Sequence, residues 1–216
     1  MPEHFMPELP SLITFSLICL GMVLTPGPNM IYLISRSISQ GPKAGLISLG
    51  GVGLGFLFYM LCAAFGITGL VMAVPYAYDA LRYAGTLYLL YLAWQALKPG
   101  GRSPFQVKEL PRDSNKQLFL MGLMTNLLNP KVAVLYLSLL PQFISLDSGA
   151  SVLSQSLILG FFQMLISLSV NAMIALAAGS IAVFLTQRPT WAMVQKWLMG
   201  TVLCGLAVKM LVEGRR

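Results

Sequence analysis

The chain has 216 residues, 56% of them hydrophobic and 10% charged, with a mean hydropathy of +0.76 and a formal net charge of +7. Soluble domains carry about 25% charged residues, so these values exclude a soluble domain and indicate an integral membrane protein. The excess of Lys and Arg lies in short loops between apolar runs, which speaks for a part in membrane orientation and excludes nucleic acid as a partner.

The first ten residues carry Glu3, His4 and Glu8 and no basic residue. A secretory signal needs a positive n-region, so the first apolar run reads as a retained span. A transmembrane helix needs about 20 apolar residues. Segments 11–34, 45–73, 80–97, 118–143, 151–185 and 192–212 meet that need, the third being short and bounded by Asp79 and Arg82. The second and fifth exceed the minimum, which predicts tilt or a bend. The polar stretch Lys98 to Gln117 holds Pro99-Gly100-Gly101, Pro104, Pro111 and five basic residues. It divides one transmembrane domain into a first three-span repeat (1–97), a basic linker (98–117) and a second three-span repeat (118–216).

Two of the segments are interrupted. Thr25-Pro26-Gly27-Pro28 breaks the first, and Asn126-Leu127-Leu128-Asn129-Pro130-Lys131 breaks the fourth. Proline removes a backbone donor and clashes with the preceding turn, while glycine adds freedom. Lipid does not satisfy unpaired backbone, so non-helical chain at membrane depth belongs where it is packed in protein or lines a cavity. Superposing Pro26 on Pro130 brings Tyr32-Leu33 onto Tyr136-Leu137, and Arg82-Tyr83-Ala84-Gly85-Thr86 resembles Lys196-Trp197-Leu198-Met199-Gly200-Thr201. An odd number of spans per half forces the halves into opposite orientations. The expected fold is therefore all-α, with six transmembrane helices in two inverted repeats and with helices one and four broken. Paired interruptions of this kind point to a transporter's binding site.

The candidate substrate-binding residues follow from the breaks. Thr25, Pro26, Gly27, Pro28 and Asn29 surround the first, where the second half-helix would offer unpaired N–H groups to a carboxylate. An ordinary proline kink is the competing reading. Asn126, Asn129, Pro130 and Lys131 surround the second, and Asn126 and Asn129 are spaced to share one helical face. A charge at the centre of an apolar run costs on the order of 2.5–3.5 kcal/mol, so Lys131 either snorkels to an interface or faces a wet cavity and meets an anionic group. Gly51 and Gly55 form a Gly-x-x-x-Gly pattern suited to close helix packing, and Tyr59 follows one turn later on the same face. Gln163 and Asn171 read as polar glue between helices, and Cys19, Cys62 and Cys204 as small apolar fillers.

The single histidine, His4, lies outside the spans, Asp79 and Asp147 lie at span ends, and no P-loop occurs. Metal or hydrolytic chemistry needs clustered His and acidic side chains, so the reading is no enzyme, no metal and no cofactor. Loops after spans one, three and five hold Arg36 and Lys43; Lys98, Arg102, Lys108, Arg112 and Lys116; and Arg188 and Lys196. The opposite side holds Arg82, Lys209, Arg215 and Arg216. The positive-inside bias puts the linker in the cytoplasm and both termini outside.

The ordered set Thr25-Pro26-Gly27-Pro28-Asn29, Gly41 with the glycine-rich span after it, Tyr83-Ala84-Gly85-Thr86-Leu87-Tyr88-Leu89-Leu90-Tyr91-Leu92-Ala93, and Asn129-Pro130-Lys131 leading to Leu140-Pro141-Gln142-Phe143 resembles the lysine-exporter (LysE/RhtB) family of bacterial amino-acid efflux proteins, over nearly the whole chain. The resemblance implies a multi-pass protein of the bacterial inner membrane that exports an amino acid or amino-acid-like metabolite on the proton gradient. A passive channel or facilitator and a non-transporting scaffold subunit are the alternatives. The expected partners are that small molecule and membrane lipid, and a homo-oligomer is admitted. With a basic residue at mid-depth and no acid, the spans predict a preference for neutral or anionic substrates over cationic ones.

Overall fold

The computed structural model describes residues 7–25, 27–73, 112–146 and 148–188, with isolated positions between 83 and 94 and between 190 and 208. Helix α1 (Leu9–Leu24) begins with Pro10 in its first turn and stops at Thr25, whose backbone is extended. Helix α2 (Pro28–Gln40) starts on Pro28, where the missing N–H costs nothing. The two make a pair bent by 51°. Gly41, at φ 91°, ends α2 and lets α3 (Pro42–Ala73) start on the next residue; a side chain there would be strained.

A capping box launches helix α4 (Asn115–Leu127). The Ser114 hydroxyl accepts from the Gln117 N–H, and the Gln117 side chain accepts from the Ser114 N–H at 2.8 Å. Helix α5 (Pro130–Val134) follows and runs on through a π-helical turn (Leu135–Leu139) into a 3-10 turn (Leu140–Phe143). Pro141 accounts for the irregularity. It has no N–H for the carbonyl one turn back, and its ring crowds that turn, so the preceding turn widens and the Leu140 N–H reaches the Leu135 carbonyl. The α4 and α5 segments are bent by 52°. Helix α6 (Val152–Gln187), with 36 residues, is the longest among the described residues.

Among the described residues the fold is all-helical, and two helices are long and apolar enough to cross a membrane, or four spans if each bent pair counts as one. Pro42–Gly66 and Val152–Ser180 each reach a mean hydropathy of 2.0. At about 1.5 Å per residue, α3 and α6 far exceed a hydrocarbon core of about 30 Å. The chain is thus a multi-pass membrane protein. Most of segments 80–97 and 192–212 lies outside the described residues.

The core collects Phe15, Cys19 and Met22 of α1, Leu33 of α2, Val52 of α3, Tyr136 and Leu140 of the broken helix and Leu159 of α6. Helices α3 and α4 cross at backbone contact. A Cβ on Gly51 would overlap the Phe119 carbonyl oxygen, one on Gly122 would overlap that of Ser48, and one on Gly55 would press on the Asn126 carboxamide. Small residues at these crossings let two membrane helices approach closely.

Two expectations are corrected. Arg36 does not lie in a loop: α2 runs on to Gln40, and Arg36 is buried in it, ion-paired to Asp113 at 2.6 Å. The Gln40 carboxamide exchanges bonds of 3.0 Å with the Asp113 backbone in both directions. Helix α4 begins at Asn115, inside the stretch read as linker, because the Ser114 cap favours a start there.

Candidate functional site

The two breaks meet. The Lys131 ammonium donates to the Thr25 carbonyl at 2.7 Å, spanning from the second interruption to the first. The close fit depends on Gly27, since a Cβ there would lie 3.3 Å from the Lys131 Cδ. Around this contact lies a cavity of about 40 Å³ lined by Met22, Val23, Thr25, Gly27, Asn29 and Met30 of the first pair, Phe56 of α3, Asn129, Lys131, Val132 and Leu135 of the second pair, and Gln163, Ser167 and Asn171 of α6. That is room for about three waters and less than an amino acid fills.

The two half-helix starts differ chemically. Asn129 caps its own helix, its side-chain oxygen accepting from the Lys131 N–H at 3.0 Å and its carbonyl from Val132 and Ala133. The start of α2 has no side-chain cap. Its first N–H groups have no acceptor within the helix and carry the positive end of the helix dipole. The Thr25 hydroxyl is spent on the Gly21 carbonyl at 2.8 Å. The positive features of the cavity are therefore the α2 start and Lys131. Its apolar wall is Met22, Val23, Met30, Phe56, Val132 and Leu135.

Of the sequence-derived candidates, Thr25, Gly27, Asn29, Asn129 and Lys131 line the cavity. Pro28 occupies the first turn of α2 and sets its direction. Pro26 lies outside the described residues, as does the side chain of Pro130, whose backbone starts α5. Tyr59 is at the second break but does not line the cavity: its hydroxyl donates to the Leu127 carbonyl at 2.7 Å, and its ring stacks on Tyr136 at 6.0 Å. Asn126 and Asn129 do not share a helical face. Helix α4 ends between them, leaving Asn126 fully buried against Gly55. Gln163 and Asn171 are cavity residues rather than glue alone, and Ser167 joins them. Their spacing of four along α6 was the signal: Gln163, Ser167 and Asn171 share one face in the middle of a long apolar helix.

Among the described residues no acidic side chain and no histidine lines the cavity, and no cluster that would hold a metal occurs. The arrangement holds donors, an uncapped helix start, carboxamides and an apolar wall. It suits reversible binding of a small amphiphile.

No solved structure matches the chain. A leucine efflux protein of Salmonella typhimurium (strain LT2) is 27% identical over 193 residues, 88% of this chain and 89% of that protein. A leucine efflux protein of Salmonella choleraesuis (strain SC-B67) matches to the same extent. The membrane protein YrhP of Bacillus subtilis (strain 168) is 27% identical over 149 residues, 64% of this chain and 70% of that protein. The LysE type translocator family matches residues 20–214, and the chain, a transporter rather than an enzyme, belongs to that family.

Proposed function

We propose that this protein exports a small neutral amino acid, with an aliphatic side chain preferred, across the bacterial inner membrane through a site between the two broken helices. The observation that carries the reading is the Lys131–Thr25 bond, which makes the two interruptions one cavity wall in a chain of the LysE family. The substrate carboxylate docks at the open start of α2 and takes the Lys131 ammonium from the Thr25 carbonyl. Binding needs the breaks to part, because the cavity is smaller than the substrate; this separation is the first step of alternating access. The apolar wall receives the side chain, in keeping with the leucine efflux relatives. The paired 51° and 52° bends support two inverted three-span repeats with the site near the bilayer midplane, and the five basic residues of the linker favour its cytoplasmic placement. Uptake of protons down their gradient would drive the export.

Proteoliposomes loaded with labelled leucine test this. Efflux should saturate with internal leucine and accelerate when the external side is made acidic. Efflux that rises linearly without saturation would mean a passive facilitator, and no efflux above protein-free vesicles would mean a scaffold.

A further inference from the structure

Helix α6 brings to the cavity wall a residue, Asn171, whose acceptor no described residue uses. Asn171 is 3% exposed, and its Oδ1 has no hydrogen-bond partner among the described residues and is itself covered, so a ligand reaches it as the breaks part. The amide is not free to turn over. Its Nδ2 donates to the Ser167 carbonyl at 2.8 Å, and an oxygen in that place would face another oxygen. The helix face that carries it is wired in turn: the Tyr136 hydroxyl donates to Gln163 Oε1, and Gln163 Nε2 donates to the Ser167 hydroxyl at 2.8 Å. Asn29, on the opening turn of α2, likewise places a buried carboxamide without a partner for its Oδ1 among the described residues, and its amide is free to turn either end to a ligand. Buried polar atoms without partners are costly, and one in the wall of a cavity is explained most simply by a water or ligand group that it receives.

The rest of the cavity supplies donors, namely Lys131 and the α2 start. Two buried acceptors without formal charge therefore complement the one part of a zwitterion that donors do not satisfy. We infer that Asn171, with Asn29 on the same cavity, is the subsite for the substrate's α-ammonium group, and that α6 forms a wall of the site. This rests on the amino-acid reading of the cavity. Carboxamide oxygens accept the ammonium's hydrogen bonds without a counter-charge, so the subsite holds one ammonium and offers nothing to a second cationic group. It selects α-amino acids over the corresponding carboxylic acids, which the α2 start and Lys131 alone would not distinguish.

The test compares leucine with 4-methylpentanoate, which is leucine without its amino group, by calorimetric titration of the purified full-length protein. The wild type should bind leucine about 10- to 100-fold more tightly, the range expected of a hydrogen bond to a charged group. Asn171→Leu should lose that preference through weaker leucine binding and leave 4-methylpentanoate affinity unchanged. Asn171→Gln keeps a carboxamide, with both its donor and its acceptor, and should keep the preference; it decides alone if the leucine variant does not fold. An unchanged preference in Asn171→Leu, or a lost one in a folded Asn171→Gln, overturns the assignment. Equal wild-type affinity for the two ligands also overturns it and leaves the carboxylate subsite standing. Binding of neither ligand removes the amino-acid reading itself and this subsite with it.

Discussion

Replacing Lys131 by Gln separates a binding role from a folding role. The ammonium reaches 2.7 Å from the Thr25 carbonyl past Gly27; glutamine is shorter and uncharged and does not bridge the breaks. A charge-assisted hydrogen bond to a carboxylate contributes about 1.5–3 kcal/mol, so the apparent KM for a carboxylate-bearing substrate should rise about 10- to 100-fold. The folding term runs the other way. A lysine in an apolar segment costs about 2.5–3.5 kcal/mol on insertion, which offsets the loss of one bond to Thr25, so the amount of protein in the membrane should not fall. The assay is efflux of labelled neutral, acidic and basic amino acids from cells expressing either version at matched levels. Wild-type cells should export neutral substrates ahead of lysine and arginine, since no acid among the described residues lines the cavity. Full activity of Lys131→Gln at equal expression, or preferential export of lysine by the wild type, would refute the reasoning.

Other outcomes follow from the packing. Gly51→Val should lower the Tm in detergent micelles and the yield of folded protein, because the added atoms meet the Phe119 backbone rather than a movable side chain; overpacking of this kind costs about 1–3 kcal/mol, and a wild-type Tm would show that the crossing yields. Asp113→Ala should destabilise by about 1.5–3 kcal/mol through loss of the ion pair with the buried Arg36, and Arg36→Met combined with Asp113→Leu should recover most of it; denaturant unfolding in micelles measures both, and additive losses would contradict the coupling. Asn129→Ala should cost about 1 kcal/mol through the lost cap on α5, read in the same titration, where no change would deny the cap its role. A reporter enzyme active only in the cytoplasm should be active when inserted near Arg102 and silent after Arg216; the reverse pattern would invert the orientation.

The breaks were legible because proline and glycine act locally. Thr25 to Pro28 and Asn129-Pro130 announce themselves without tertiary knowledge, and the apolar length of α3 and α6 announces spans. What the sequence did not disclose depends on where one helix end faces another. Asn129 turned inward to cap its own helix, which separated it from Asn126 and left only one of the two helix starts open. Arg36 read as a loop charge because its partner, Asp113, lies far along the chain. The α6 stripe of Gln163, Ser167 and Asn171 had the right period, but periodicity places residues on a face and does not say whether that face meets a helix or a cavity.

A structure of the purified protein with leucine bound decides whether the two breaks form the site. The substrate carboxylate should lie within hydrogen-bond reach of the Lys131 ammonium and the first N–H groups of α2, with the Lys131–Thr25 bond broken and the isobutyl group against Met30, Phe56 and Leu135. Leucine bound elsewhere while Lys131 remains on the Thr25 carbonyl would contradict that placement.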